Sequence, residues 1–165
     1  MSPETMTLLR ASINGRDIEM EIESRELLID LLRDRLELTG TKRSCDSQVC
    51  GACTVLLDGQ PVSSCCTLAY EADGKVVQTI EGMARDGQLD PIQAAFVEKA
   101  AIQCGFCTPG FVLTTKALLA ENPRPTRDEI KSYLGGNLCR CTGYWNILEA
   151  AEDAARRVAA VEAGS

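Results

Sequence analysis

Nine cysteines and no histidine among 165 residues restrict the metal chemistry open to this chain. Cys45, Cys50 and Cys53 stand as C-x4-C-x2-C, and Cys65 follows after an x11 interval. Four thiolates in that spacing are the plant-type arrangement for a [2Fe–2S] cluster. Such a cluster carries net negative charge, which backbone N–H groups must meet where solvent is excluded. Asp46-Ser47-Gln48-Val49 and Gly51-Ala52 are short enough to curl their amides toward sulfur, and Gly51 can take positive φ without steric cost. Zinc knuckles, or buried cysteines acting only as small hydrophobes, fit this spacing less well. Cys65 and Cys66 are adjacent, so one of them is spare. Spacing alone does not choose between them; Cys65 gives the x11 interval that follows the hairpin back to the loop, and Cys66 would then point to the other face and sit in the core as a buried thiol.

A second set comprises Cys104 and Cys107 in C-x-x-C and Cys139 and Cys141 in C-x-C. A lone C-x-x-C suggests redox chemistry or half a zinc site. Here it precedes Thr108-Pro109 in a helical region, with no strand beside it for a thioredoxin-like fold. C-x-C is a poor candidate for an internal disulfide of ordinary geometry. Both pairs stand shortly before helix starts, at Thr108-Pro109 and near Asn146, where the positive end of the helix favours thiolate. Spacing alone leaves this second all-cysteine site open to zinc as well as to an iron–sulfur cluster.

The bulk numbers set the surroundings. A hydrophobic fraction of 45% and a charged fraction of 25% are those of a globular protein, and aromatics make up only 4%. The core therefore rests on Leu, Ile, Val and Ala. A net charge of −7 argues against nucleic acid and against an anionic membrane surface as partners. No apolar run approaches the roughly 20 residues that span a bilayer, so no membrane insertion is expected. Met1-Ser2-Pro3-Glu4-Thr5-Met6 lacks a basic n-region, an apolar h-region and an Arg-Arg pair, so a cytoplasmic location is expected. In that reducing compartment, clustered cysteines bind metal more often than they form disulfides. The missing histidine excludes Cys/His zinc sites, Rieske centres and Ser-His-Asp triads.

The elements that must hold these cysteines fall into two kinds. Thr7–Ser12 and Ile18–Glu23 flank Asn14-Gly15, and Thr54–Leu57 and Pro61–Ser63 flank Asp58-Gly59; both are hairpin signals. Lys75–Ile80 reads as a last strand. Ser24 is a candidate N-cap for a helix with Leu27, Leu28, Leu31, Leu32 and Leu36 on one face. These parts predict a small mixed sheet with a helix across it. Residues 81–90 turn to Gly, Asp, Arg and Gln and read as a linker. Beyond it, helix starts recur at Asp90-Pro91, Thr108-Pro109, Thr126 with Glu129, and Asn146 with Glu149. Gly135-Gly136 would end the third helix in αL geometry, and the Ala-rich stretch Ala150 to Ala163 continues the last. Four helices joined by short loops predict a small bundle. The expected fold is α+β, with a sheet domain at 1–80, the linker at 81–90 and a helical domain at 91–165.

With these residues in view, a family resemblance is apparent. CDSQVCGACTVLLDGQPVSSC, QCGFCTPG and GGNLCRCTGYWNI closely resemble the iron–sulfur small subunit of the molybdenum hydroxylases, the xanthine dehydrogenase family with its three-subunit bacterial relatives. Those relatives include carbon monoxide dehydrogenase and aromatic or heterocycle hydroxylases. The resemblance runs from about Thr7 to Ala155. It implies a plant-ferredoxin-like β-grasp domain followed by a four-helix bundle. It implies that Cys45, Cys50, Cys53 and Cys65 ligate an outer [2Fe–2S] cluster near a flavin, and that Cys104, Cys107, Cys139 and Cys141 ligate an inner one near molybdenum–pterin. Gln103 and Cys141 would lie against that pterin. The partners implied are a large molybdenum–pterin subunit and a medium FAD subunit, in a dimer of heterotrimers. Electrons would pass singly from molybdenum through both clusters to FAD, whereas a free-standing ferredoxin would need only one. Many relatives carry Gly just before the first ligand where this chain has Ser44, in the loop that faces the flavin side. The chain shows no Gly-rich phosphate loop and no acid–base constellation of its own.

Overall fold

The computed structural model describes residues 6–163; the leader reading and the outer ends of the two domain ranges fall partly on residues 1–5 and 164–165, outside it. Strands β1 (Met6–Ile13) and β2 (Arg16–Glu23) form an antiparallel hairpin in which Ile13 pairs with Arg16. Its two-residue turn has Asn14 at φ 53° and Gly15 at φ 79°, the left-handed pair that matches strand twist. Strands β3 (Thr54–Leu57) and β4 (Gln60–Ser63) form a second hairpin, turned by Asp58 at φ 49° and Gly59 at φ 82°. Strand β5 (Val76–Gln78) lies between the hairpins, parallel to β1 and antiparallel to β3. The sheet order is β2-β1-β5-β3-β4. A side chain locks this closure: Asn14 Nδ2 donates to Thr79 Oγ1 at 2.9 Å, and Thr79 N–H donates to Asn14 Oδ1 at 2.8 Å.

The helix across the sheet is shorter and differently capped than its leucine pattern suggests. Helix α1 spans Leu28–Asp30 and widens into a π-turn over Leu31–Arg35, closed by Leu36 N–H to Leu31 O at 3.1 Å. Ser24 does not cap it. Leu27 occupies that position in extended backbone, and no side chain caps the helix. Backbone pairing takes over: Leu27 bridges Leu68, and Ile29 N–H donates to Ser64 O at 3.1 Å. The leucine face is buried as expected, with Leu28, Leu31 and Leu32 packed on Leu9, Ile22, Val55 and Val77.

Four helices follow: α2 (Pro91–Glu98), α3 (Thr108–Glu121), α4 (Arg127–Tyr133) and α5 (Trp145–Ala163). Asp90 caps α2 by accepting Ile92 N–H at 2.9 Å, with Pro91 in the first turn. Thr126 and Glu129 form the expected capping box on α4. The cap of α3 is Cys107, not Thr108, so a cysteine rather than a hydroxyl side chain stands at the mouth of that helix. Asn146 lies inside α5 and gives its Nδ2 to Ala100 O at 3.2 Å, so it ties α5 to the end of α2 instead of capping. Gly135-Gly136 forms a 3-10 turn with Leu134, and neither residue has positive φ. No left-handed stop is needed there, because Asn137 N–H bonds back to Leu134 O at 3.0 Å.

Helix α5 packs along α2, and α3 reaches across to β3 and β4. The helical core gathers Phe96, Phe111, Leu113, Ile130 and Ile147, and it takes in Leu56 of β3 and Met83. The fold is therefore α+β, with two cores that meet along α3. Phe111, 1% exposed, fills the seam below the second cysteine set and meets Tyr144 edge-on at 6.3 Å between ring centroids. Phe111→Ala removes a buried ring, and the expected loss is about 3–5 kcal/mol. Urea unfolding of the metal-loaded chain, followed by circular dichroism, measures it.

Candidate metal centres

The first cysteine loop is shaped by left-handed residues. Asp46 (φ 50°), Gln48 (φ 61°) and Gly51 (φ 67°) alternate with right-handed or extended neighbours, a pattern that turns successive N–H groups to one side. Only Gly51 was legible in advance; Asp is among the types that tolerate this region, whereas Gln48 gives no such signal. The Arg43 guanidinium fixes the loop to α1 through Asp30 at 2.7 Å and to Asp46 at 3.5 Å. Within the loop the Cys45 thiol is brought down to about 6 by the Ser47 amide and hydroxyl, and then by the Cys50 amide and thiol. Cys45 is thus held ready as thiolate.

Cys53 and Cys65 form the buried side of the same site, packed with Ile29. Burial pushes the Cys53 thiol up to about 11, while the Cys65 amide works in the opposite direction. Ser64 holds the pair in register, its hydroxyl donating to Cys53 O at 2.7 Å. Cys66 is not in the core: it is exposed, and its Sγ lies 3.7 Å from Cys65 Sγ. Strand alternation stops at Ser63, the end of β4. Beyond it the chain turns, with Cys66 N–H bonded to Ser63 O at 2.9 Å, so Ser64 and Cys65 both face inward and Cys66 faces out.

The second set assembles from three places. Cys104 lies in the loop before α3, Cys107 caps α3, and Cys139 and Cys141 lie in the loop before α5. The Cys141 thiol donates to Cys104 Sγ at 3.6 Å. Burial and the neighbouring Cys139 push Cys107 up to about 12. Cys139 is also penalised by burial, but it ends below its usual value because Thr142 supplies two donors, its hydroxyl at 3.1 Å and its amide at 3.4 Å. Gly105 (φ 81°), Gly143 (φ 65°) and Tyr144 (φ 69°) make the sharp loop turns. The Tyr144 hydroxyl accepts Cys139 N–H at 3.0 Å. Gln103 is exposed beside Cys104.

The sulfurs of each set come in pairs: Cys45 with Cys50 and Cys53 with Cys65, then Cys104 with Cys141 and Cys107 with Cys139. A single zinc ion would need four sulfurs at about 2.3 Å from one point. Two pairs of thiols suit a core of two irons, each taking one pair. The donor sets therefore fit two [2Fe–2S] clusters.

The two loops touch. Leu138 N–H donates to Cys50 O at 2.9 Å, so one hydrogen bond separates a cysteine of the first set from the residue before Cys139. Asn137 reinforces the contact with Nδ2 to Gly51 O at 3.0 Å. Asn137 stands in the third sequence motif, yet nothing about its type or spacing marks it, because its partners are far off in the chain.

Comparison with known proteins agrees with this arrangement. Residues 11–80 match the family described as 2Fe-2S iron-sulfur cluster binding domain, and residues 79–152 match the [2Fe-2S] binding domain. The chain is 48% identical over 153 residues to the nicotine 6-hydroxylase small subunit of Paenarthrobacter nicotinovorans, covering 93% of this chain and 92% of that protein. It is 46% identical over 151 residues to the nicotinate dehydrogenase small FeS subunit of Eubacterium barkeri, covering 92% and 96%. Among solved structures, a chain of quinoline 2-oxidoreductase from Pseudomonas putida 86 superposes with a TM-score of 0.86 at 45% identity, covering 92% of this chain and 97% of that one.

The exposure of Cys66 and the burial of Cys65 make a sharp expectation. Cys66→Ala leaves both reduced-cluster electron paramagnetic resonance (EPR) signals intact, whereas Cys65→Ala abolishes the one from the first loop. Loss of that signal in Cys66→Ala would reverse the choice between them.

Proposed function

We propose that this chain, which belongs to the family of small iron–sulfur subunits of the molybdenum hydroxylases, carries electrons from the molybdenum–pterin centre of a large partner subunit toward FAD in a medium one. Its place as an electron-transfer subunit of a multi-subunit oxidoreductase follows from the family, and so do two [2Fe–2S] clusters. The observation that carries the finer reading is the contact of two cysteine quartets through Cys50 O and Leu138 N–H. When bound, each cluster takes up and releases a single electron.

In this reading Cys45, Cys50, Cys53 and Cys65 hold the outer cluster, and Cys104, Cys107, Cys139 and Cys141 hold the inner one. The outer site belongs to a ferredoxin-like β-grasp domain at 1–80, the inner one to a four-helix bundle at 91–165, with 81–90 between them. What the residues do is electrostatic. The Ser47 and Cys50 amides, and the Thr142 hydroxyl and amide, supply donors to sulfur, which favours thiolate and lowers the cost of its charge away from water.

The inner site is the more open. Cys104 and Cys141 are exposed, and so are Ile102, Phe106, Leu138 and Trp145 beside the cysteines in sequence. Apolar exposure around a charged site fits a surface that a large subunit covers. On that side Gln103 and Cys141 face the pterin. The partners form a dimer of heterotrimers in the cytoplasm, and the substrate is chosen by the molybdenum subunit.

The complex itself is the first test. Gel filtration of native extract is expected to carry this chain at the mass of a multi-subunit assembly; elution at its 17.8 kDa monomer mass with intact clusters would overturn the subunit reading. Gln103→Ala is expected to slow electron flow from molybdenum while both cluster signals persist. Unchanged turnover would make Gln103 a structural residue only.

A further inference from the structure

Three stretches of backbone cross between the two cysteine sets with almost no side-chain volume between them. A Cβ on Gly110 would lie 2.2 Å from Gly51 O, and one on Gly51 would lie 2.5 Å from Asn137 Nδ2. The α3 backbone, the first cysteine loop and the chain before Cys139 are therefore pressed together at Gly51, Gly110 and Asn137. Asn137 is 4% exposed and uses both ends of its amide there: Nδ2 donates to Gly51 O at 3.0 Å, and Oδ1 accepts from Thr114 Oγ1 at 2.9 Å. The orientation is fixed chemically, since Gly51 O can only accept and must face the nitrogen. Thr114, itself 5% exposed, then orients the amide from α3.

We infer that Asn137 is a positioning residue for electron exchange between the two clusters, holding Cys50-Gly51 against Leu138-Cys139. The inference rests on the reading of this chain as a two-cluster electron carrier. Three facts bear on it. The residues on either side of the Asn137–Gly51 bond are a cysteine of the first set, Cys50, and the residue leading to Cys139 in the second. The Cys50 O to Leu138 N–H bond lies directly beside the Asn137 bond, so the two act as a clamp of adjacent links. Without the Asn137 amide, Thr114 Oγ1 would lose its acceptor and Gly51 O would keep only the Thr54 hydroxyl (2.8 Å) and amide (3.2 Å) of its own loop, so the side-chain link between the loops would be gone and they would separate. A change of spacing at this crossing alters the approach of the two sites, although no sulfur has been touched.

The variants are Asn137→Leu, which keeps the volume and removes both bonds; Thr114→Val, which removes only the hydroxyl that orients the amide; and Thr114→Ser, which keeps it. The whole complex is used, reduced with dithionite for pulsed EPR and with substrate for rapid freeze-quench kinetics. Expected for Asn137→Leu are both cluster signals at full intensity, a weaker magnetic splitting between them, and several-fold slower arrival of electrons at the outer cluster. Thr114→Val shows the same changes in smaller degree, and Thr114→Ser behaves as wild type. Unaltered splitting and rate in Asn137→Leu and Thr114→Val, even with lower thermal stability, would overturn the inference and make Asn137 a residue of folding alone. If Asn137→Leu does not assemble, the contrast between Thr114→Val and Thr114→Ser decides. A wild-type complex without two cluster signals would instead count against the two-cluster reading itself.

Discussion

Thiolate sulfur is costly to remove from water unless N–H and O–H groups turn toward it, and much of this structure follows from that cost. The first loop meets it with backbone amides and the Ser47 hydroxyl. Asp46, Gln48 and Gly51 accept left-handed geometry so that amides near Ser47 and Cys50 face sulfur. The second site uses a threonine: Thr142 gives its hydroxyl and amide to Cys139. Where donors are scarce the thiols resist ionisation, as at Cys53 and Cys107, each pushed up by burial. Each site thus sets one thiol that its donors bring down, Cys45 or Cys139, beside one that burial pushes up, Cys53 or Cys107.

The same requirement explains why the fold has two cores. A loop that aims its amides inward cannot contribute many apolar side chains, so the elements around it must be anchored by others. The sheet core of Leu9, Ile22, Leu31, Leu32 and Val55 anchors the first loop through α1, and Phe96, Phe111 and Ile147 anchor the second through α3 and α5. Helix α3 serves both sites. Its N-terminus presents Cys107, and its flank packs on β3 and β4, beside the glycine crossing that lets the two loops touch. A side chain at Gly110 would close that approach.

Features fixed by local chemistry were legible in the sequence. Asn14-Gly15 and Asp58-Gly59 mark their hairpins because two-residue turns demand positive φ, and Asp90-Pro91 and Thr126 with Glu129 mark helix starts because their side chains satisfy free N–H groups. The cysteine sets were legible because ligand spacing constrains loop length. The misreadings of Ser24 and Asn146 share one cause, which is contact with a distant part of the chain, while that of Cys66 is local. Ser24 loses its cap role because Leu27 pairs with Leu68 and Ile29 with Ser64. Asn146 turns to Ala100, and Cys66 is exposed because the strand ends at Ser63 before alternation can place it. Asn137 and Thr114 were invisible for the same reason, since their meaning is a contact across 86 residues to Gly51 and across 23 to each other.

The two sites differ in what they leave uncovered, and the difference has a direction. In the first, Cys53 and Cys65 are buried within the chain, and the exposed edge is polar apart from Val49. In the second, Cys104 and Cys141 stand at the surface together with Phe106, Leu138 and Trp145, the last 63% exposed beneath the Arg127 guanidinium at 4.6 Å. Thiolates in contact with water are stabilised by it, so a chain working alone gains nothing from apolar groups beside them. Exposed aromatics next to exposed cysteines make physical sense when another surface removes the water from both. The first site is enclosed largely by its own fold, whereas the second leaves cysteines and apolar side chains exposed side by side.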